Sequence, residues 1–194
     1  MEFLREKSDF FTSVEKALDE IDSKWREYPG LIVAGSHDPE RVEEKIEKIR
    51  WARENNIPFL GICLGMQLMI IEFARNVLGK VGADSTEIHP QTPFPVVTKL
   101  PELRVGIRPV VWESRHSMES HWHNYAFNSE KYRTEFDKHF IASYTEKVAE
   151  VMKLRNHKFF VGVQFHPEYG SDRGQPHPIL KEFIKVCKVK KDEK

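Results

Sequence analysis

The pentapeptide Gly61-Ile62-Cys63-Leu64-Gly65 constrains this chain more than any other feature, because two different kinds of structure meet there with no linker between them. Upstream, Ile57-Pro58-Phe59-Leu60-Gly61-Ile62 is a short apolar run entered by proline, the pattern of a strand buried on both faces. Downstream, Leu64 to Ala74 is strongly apolar and long enough for a helix. A residue on so abrupt a strand-to-helix turn is held in a strained conformation with its side chain exposed. Glycines two positions either side remove the Cβ atoms that would crowd it. The arrangement is that of a nucleophile elbow with Cys63 as the nucleophile. The helix points its positive end at Cys63, which favours the reactive thiolate, and the first-turn amide of Leu64 is free to donate to an oxyanion. Taken alone, the pentapeptide also fits a buried structural cysteine between two helix-packing glycines.

The flanking segments extend this into an alternation of strands and helices. Val14, Leu18 and Ile21 fall near a helical period over residues 11–25, with Thr12 or Ser13 available as a cap. Leu31-Ile32-Val33-Ala34 reads as a strand, and Gly35-Ser36-His37-Asp38-Pro39 as a tight turn ending in an Asp N-cap, with Pro at the first position of a helix reaching about Asn55. Strand, helix, strand, helix predicts an α/β fold of three layers with a mostly parallel central sheet. Residues 2–5 make a poor first strand, so the sheet is expected to be trimmed at its start. Val81 to Pro109, rich in proline and polar residues, predicts an irregular excursion with short strands. Val148–Leu154 and Phe159–Phe165 read as neighbouring strands around a turn at Arg155-Asn156-His157, and a last helix covers about Pro178 to Val186. The charged tail from Lys188 to Lys194 reads as a solvated, frayed end. There is no internal repeat and no Walker-type loop.

Composition narrows the function classes. A length of 194 residues predicts one domain over 1–194, without a second catalytic module. With 40% hydrophobic and 31% charged residues the chain is neither disordered nor collagen-like. Its 30 Lys and Arg balance 30 Asp and Glu, so no broad field draws it to phosphate backbones or anionic lipid, and neither nucleic acid nor a membrane is an expected partner. No apolar run approaches the roughly 20 residues of a membrane span, and Met1 to Lys7 carries acids rather than a signal sequence. A cytoplasmic location is expected. Cys63 and Cys187 allow at most one disulfide and lack metal-ligand spacing.

A second signal supports the catalytic reading of Cys63. Phe165-His166-Pro167-Glu168 ends an apolar strand about a hundred residues further on. In an extended chain residues two apart face the same way, so His166 and Glu168 are expected to project together. His166 then serves as base toward Cys63, while Glu168 fixes its tautomer and stabilises the imidazolium. The order Cys, His, Glu, with the acid two residues past the histidine, argues against the hydrolase order in which the acid comes first.

These residues together resemble the class I glutamine amidotransferases, and within them the glutaminase domains of CTP synthases. The likeness is strongest over WARENNIPFLGICLGMQLMIIEFARNVLG and KVGADSTEI, from Trp51 to Ile88, and over HKFFVGVQFHPEYGSDRGQPHP, from His157 to Pro178. The N-terminal FTSVEKALDEI and the middle segment match loosely. The resemblance implies a flavodoxin-like fold. It also implies a Cys63, His166, Glu168 triad that forms a glutamyl thioester, releases ammonia and is then hydrolysed, with no cofactor and no metal. Gly35 and Leu64 match the backbone donors of the oxyanion hole. Gln67 and Glu87 match positions that hold the glutamine side of the substrate, Glu87 facing the α-amino group. The implied partners are a small-molecule amide, glutamine, and a synthetase on another chain that accepts ammonia, in pyrimidine metabolism.

Three departures stand out. Where the family has Pro-Gly-Gly-Phe-Gly after its strand, this chain has Ala34-Gly35-Ser36-His37-Asp38, keeping one glycine. Where the family shows a basic run closing on an Arg before Tyr, this chain has Glu119-Ser120-His121-Trp122-His123-Asn124-Tyr125, with Asn124 at the position of the Arg that clamps the substrate α-carboxylate. An amide cannot replace that bidentate ion pair. The third departure is that the synthetase half is not in the sequence, so this chain by itself is not expected to make CTP. His121 and His123, with His116 nearby, could also be read as two metal ligands on one strand face, although no third ligand is fixed by the spacing; a polar loop bordering the pocket is the plainer reading. The functional expectation is a cysteine glutaminase. The alternatives are an amidase or γ-glutamyl hydrolase with another amide substrate, suggested by Ser36, His37 and Asn124, and a non-catalytic binding or regulatory module, which the intact triad argues against.

Overall fold

In the computed structural model, which describes residues 2–3, 9–36, 41–112, 115–173 and 175–189, the chain opens with β1 (Glu2–Phe3), α1 (Asp9–Ile21) and a 3-10 turn (Trp25–Glu27). It continues through β2 (Leu31–Val33), α2 (Val42–Glu54), β3 (Phe59–Ile62), α3 (Leu64–Asn76) and β4 (Ala83–Ser85). Two long strands follow, β5 (Phe94–Trp112) and β6 (Arg115–Phe127), and then α4 (Ser129–Phe136), β7 (Phe140–Thr145), β8 (Val148–Leu154) and β9 (Phe160–Val163). A 3-10 turn (Pro167–Arg173) and α5 (Pro178–Val189) complete the order.

The described residues form a six-stranded sheet in the order β1-β2-β3-β9-β8-β7, parallel from β1 to β9 and antiparallel beyond. Alternation along its strands sorts the helices into two layers. Leu31, Val33, Phe59 and Phe160 join the core built by Ile46 and Ile49 of α2 and Met66 and Met69 of α3. Their neighbours Ile32, Leu60, Ile62, Val161 and Val163 join the opposite core with Val14 and Leu18 of α1 and Leu180 and Phe183 of α5. Because successive strand residues point to opposite faces, a continuous apolar run is what a sheet covered on both sides demands. Among the described residues, no helix is long and apolar enough to cross a membrane.

Several expectations need correction. The first strand is present but short, Glu2 and Phe3 pairing with Leu31 and Ile32. Helix α1 begins at Asp9, so Thr12 and Ser13 lie inside it rather than capping it. The Asp38 cap and Pro39 lie outside the described residues; the following helix is described from Val42. The middle segment is not irregular: β5 and β6 form one long antiparallel hairpin, paired from Val97 with Phe127 to Trp112 with Arg115, next to the short β4. It escaped the sequence reading because its outer half is inside out. The pairs Arg104 with His123 and Arg108 with Glu119 face inward, while Val105 with Trp122 and Pro109 with Met118 face out. A hydrophobic-in, polar-out template does not match such a strand. Helix α4 and β7 also went unread; Phe136 and Phe140 pack there with Phe73 and Phe127.

Close contact between α3 and the sheet rests on glycine. A Cβ at Gly65 would lie 2.0 Å from the Val33 carbonyl oxygen, and one at Gly162 would lie 2.7 Å from Met66 Cγ. The first neighbour is backbone and cannot step aside. Gly65→Ala is therefore expected to destabilise the fold by about 3 kcal/mol, the upper end of common overpacking costs, seen as a lower urea midpoint at unchanged m-value. An unchanged midpoint would show that β2 and α3 can separate without loss.

Candidate active site

Cys63 is the single residue between the end of β3 and the start of α3, with φ 50° and ψ −103°. For a side chain with a Cβ this is a strained backbone, costing of order 1–3 kcal/mol. The turn closes only because a Cβ at Gly61, which would fall 2.6 Å from the backbone carbon of Gly65, is absent. The strand side is pinned by the Cys63 N–H, which donates to the Val163 carbonyl of β9 at 2.8 Å. On the helix side the Met66 and Gln67 N–H groups donate to the Cys63 carbonyl at 3.1 and 3.2 Å. First-turn amides such as that of Leu64 have no acceptor within the helix.

His166 arrives three residues after the end of β9, its N–H donating to the Ser120 carbonyl of β6 at 2.8 Å. Glu168 meets it, though not through an extended chain. The strand ends at Val163, and Pro167 opens a 3-10 turn that carries the Glu168 carboxylate back to His166, with Nδ1 and Oε1 2.8 Å apart. Proline favours that turn because its fixed φ suits a helical first position. Burial disfavours charge on His166, but hydrogen bonds with Cys63 and Glu168, reinforced by their charges, raise the imidazole to about 10, so it is protonated at neutral pH. The buried Gly35 backbone lies against both partners: a Cβ there would be 2.8 Å from His166 Cε1 and 3.4 Å from Cys63 Cβ. Its retention beside the altered Ser36 thus has a steric cause.

The hairpin forms the far wall. The Trp122 carbonyl oxygen is 3.9 Å from Cys63 Sγ, and the Gln67 side-chain amide donates to the Tyr125 carbonyl at 2.9 Å. Between them lies a cavity of about 130 Å³ whose walls include Cys63, Leu64, Gln67, Glu87 and Asn124. Cys63, Leu64, Gln67, Glu87 and Asn124 are therefore brought together around one space, while Gly35 lies against Cys63 and His166. His37 lies outside the described residues. Partial loss of solvent at the cavity wall raises the Glu87 carboxyl above its ordinary range. A larger cavity of about 610 Å³ lies elsewhere, beside Arg75, Asp84 and His89, and holds no cysteine or serine.

Gln164 was missed in sequence. It is fully buried, and its Nε2 donates to Cys63 Sγ at 3.7 Å. The available signal was a lone amide in the otherwise apolar run Phe159–Phe165. Leu103 and Trp122, which also border the cavity, were missed because nothing local placed the hairpin there.

The possible metal ligands His121 and His123 serve instead as buried structural side chains. His123 Nδ1 donates to the Tyr125 carbonyl at 3.0 Å, leaving Nε2 to accept from His121 Nδ1 at 3.3 Å. Burial, with the neighbouring cations, pushes His121 down to about 3 and His123 to about 4, so both are neutral at pH 7. His116 is exposed near the hairpin tip, opposite Val111. Among the described residues no group of three or more His, Cys, Asp or Glu is arranged to hold a metal ion.

Comparison with known proteins shows the family and the fold. A family model described as glutamine amidotransferase class-I covers residues 7–186. The CTP synthase of Clostridium acetobutylicum is 40% identical over 205 residues, 93% of this chain and 38% of that protein. The CTP synthase of Halalkalibacterium halodurans is 43% identical over 181 residues, 81% of this chain and 34% of that protein. The chain thus spans little more than a third of the length of these curated relatives. Among solved structures, the glutaminase domain of Trypanosoma brucei CTPS with bound acivicin shares the fold, with a TM-score of 0.83 at 22% identity, over 97% of this chain and 91% of that one.

The two cysteines should differ sharply in reactivity. Sγ of Cys63 faces an imidazolium and a helix N-terminus, whereas Cys187 is wholly buried and its thiol is pushed up to about 12 by desolvation. Iodoacetamide at pH 7 is expected to label Cys63 at least tenfold faster than Cys187 by peptide mass mapping, and His166→Ala to slow that labelling. Equal rates at the two sites, unmoved by His166→Ala, would contradict the assignment.

Proposed function

The chain belongs to the class-I glutamine amidotransferases, and from that membership we propose that it is a cysteine glutaminase, hydrolysing the side-chain carboxamide of a glutamine substrate at Cys63. The observation that carries the reading is the buried pair of His166 Nδ1 and Glu168 Oε1 at 2.8 Å, with the Gly35 backbone against both the imidazole and Cys63. With Nδ1 turned to Glu168, the opposite nitrogen, Nε2, is the one left for Cys63.

The steps follow from this order. The Cys63 thiolate attacks the carboxamide carbon, forming the Sγ–C bond and moving the carbonyl electron pair onto oxygen. The N–H groups of Leu64 and Gly35 are the donors for that oxyanion. The protonated imidazole of His166 gives its proton to the departing nitrogen, the C–N bond breaks, and ammonia leaves behind a thioester. Neutral His166 then takes a proton from water, the hydroxide attacks the thioester, and the Sγ–C bond breaks to release a carboxylic acid, whose proton passes to ammonia in solution, and to restore the thiolate beside imidazolium. Glu168 holds the ring and favours its charged form throughout. Gln164 donates to the sulfur and helps hold it in place. Gln67, Glu87 and Asn124 line the space for the rest of the substrate, Glu87 as partner for an ammonium group.

Similarity to CTP synthases that are far longer than the matched part supports a synthetase as the acceptor of ammonia, which would set the reaction in pyrimidine metabolism. For the triad, Glu168→Gln is expected to lower kcat by a hundredfold or more, since the neutral amide stabilises no imidazolium; roughly 10⁴ is known for such a change. Steady-state ammonia release, corrected with Cys63→Ser, measures this. Wild-type turnover by Glu168→Gln would remove that residue from the mechanism.

A further inference from the structure

The charge content of the cavity carries an inference about what enters it. Among its described lining residues none is Lys or Arg, and apart from Cys63 the one acidic side chain is Glu87: Asn124, Gln67 and Ser36 are uncharged, and His123 is neutral and committed through Nδ1 to the Tyr125 carbonyl. Arg104, adjacent in sequence to the lining residue Leu103 and opposite His123 in the hairpin, has its guanidinium turned to Glu150 at 2.7 Å and Glu146 at 3.1 Å. A free amino acid would bring two charges. Its ammonium would meet Glu87, while its carboxylate would be desolvated with no Lys or Arg among the described lining residues to receive it, which is costly for an ion.

Part of the cavity's border is apolar and exposed. Leu103 and Trp122 both border the cavity and are 49% and 53% exposed, and they lead onto Val105, Ile107 and Met118, which share the outward face of the hairpin. An apolar strip continuous with a reaction cavity is a place for part of a substrate to lie.

Resting on the amidohydrolase reading above, we infer that the substrate is a glutaminyl compound with a free α-amine, whose α-carboxyl is blocked as an amide or peptide bond and followed by an apolar group. Its γ-carboxamide reaches Cys63, its ammonium faces Glu87, and the blocked end passes Asn124 to the strip at Leu103 and Trp122. The reaction adds water to the γ-carboxamide and releases ammonia, which leaves as ammonium after taking the proton of the new γ-carboxyl, and a γ-carboxylate. The α-carbonyl bond is not touched.

The test compares free glutamine, glutamine α-amide and the dipeptide glutaminyl-leucine by initial rates of ammonia release. Each is corrected for spontaneous cyclisation with Cys63→Ser, and the product of the dipeptide is identified by mass as glutamyl-leucine. The expected kcat/KM for glutaminyl-leucine exceeds that for glutamine by at least tenfold, with the α-amide between them. Trp122→Ala should bring the dipeptide down to the level of the α-amide, mainly through KM. Asn124→Arg should raise kcat/KM for free glutamine about tenfold or more by supplying a charge-assisted partner. A preference for free glutamine that Asn124→Arg leaves unchanged would overturn the inference while leaving the glutaminase reading intact. If none of the three amides releases ammonia above the Cys63→Ser blank, the glutaminase reading falls and takes this one with it.

Discussion

The backbone of Cys63 is the constraint on which the rest of the structure depends. A residue with φ 50° and ψ −103° is tolerated only if its surroundings over-determine it. Here they do so with missing atoms: Gly61 and Gly65 let strand, turn and helix come within a distance that any Cβ would forbid, and Gly65 also seats α3 on the Val33 carbonyl of β2. The same closeness that strains the turn aims the start of α3 at the sulfur. Fold and reactivity are thus two results of one steric arrangement, with the ladder bond from Cys63 N–H to Val163 locking the strand side.

The hairpin of β5 and β6 does for the cavity what the elbow does for the nucleophile. Its inner end packs Val96, Val97 and Phe127 into the core on the α2 and α3 side, while Val110 and Trp112 near its tip enter the opposite core. In between it crosses the candidate site, accepting from His166 N–H at Ser120 and from Gln67 at Tyr125. This stretch carries its polar side chains inward. Arg104 meets Glu150 at 2.7 Å, and His177 Nε2 lies 3.1 Å from Glu119 Oε1. Burying such groups is tolerable because they are paired, and it leaves the apolar residues facing outward beside the cavity.

Electrostatic context separates histidines that composition treats alike. His166, His121 and His123 are all buried. His166 faces a carboxylate and the cysteine, and is raised to about 10; His121 and His123 face each other and nearby arginines, and are lowered to about 3 and 4. Burial acts against the charged form in all three, so the partners decide the outcome. Glu150, pushed up to about 7 by burial against the pull of Arg104, belongs to the same buried group. One histidine is thereby available as a proton donor at neutral pH, while the other two hold the hairpin as neutral hydrogen-bonding rings.

The sequence by itself determined the features that depend on neighbours along the chain. The glycine spacing around Cys63 dictates a tight turn because the clash is local, and the two-faced apolar runs dictate a covered sheet because side chains alternate. His166 and Glu168 could be paired from their separation alone, although a 3-10 turn rather than an extended strand brings them together. Tertiary structure decided the rest. That Gln164 reaches the sulfur, that Arg104 is spent on Glu150, and that Leu103 and Trp122 border the cavity all depend on contacts between separate segments of the chain. A strand whose polar side chains point inward carries the pattern of an exposed loop until its partners are known, because the pairing that makes their burial tolerable lies in another part of the chain.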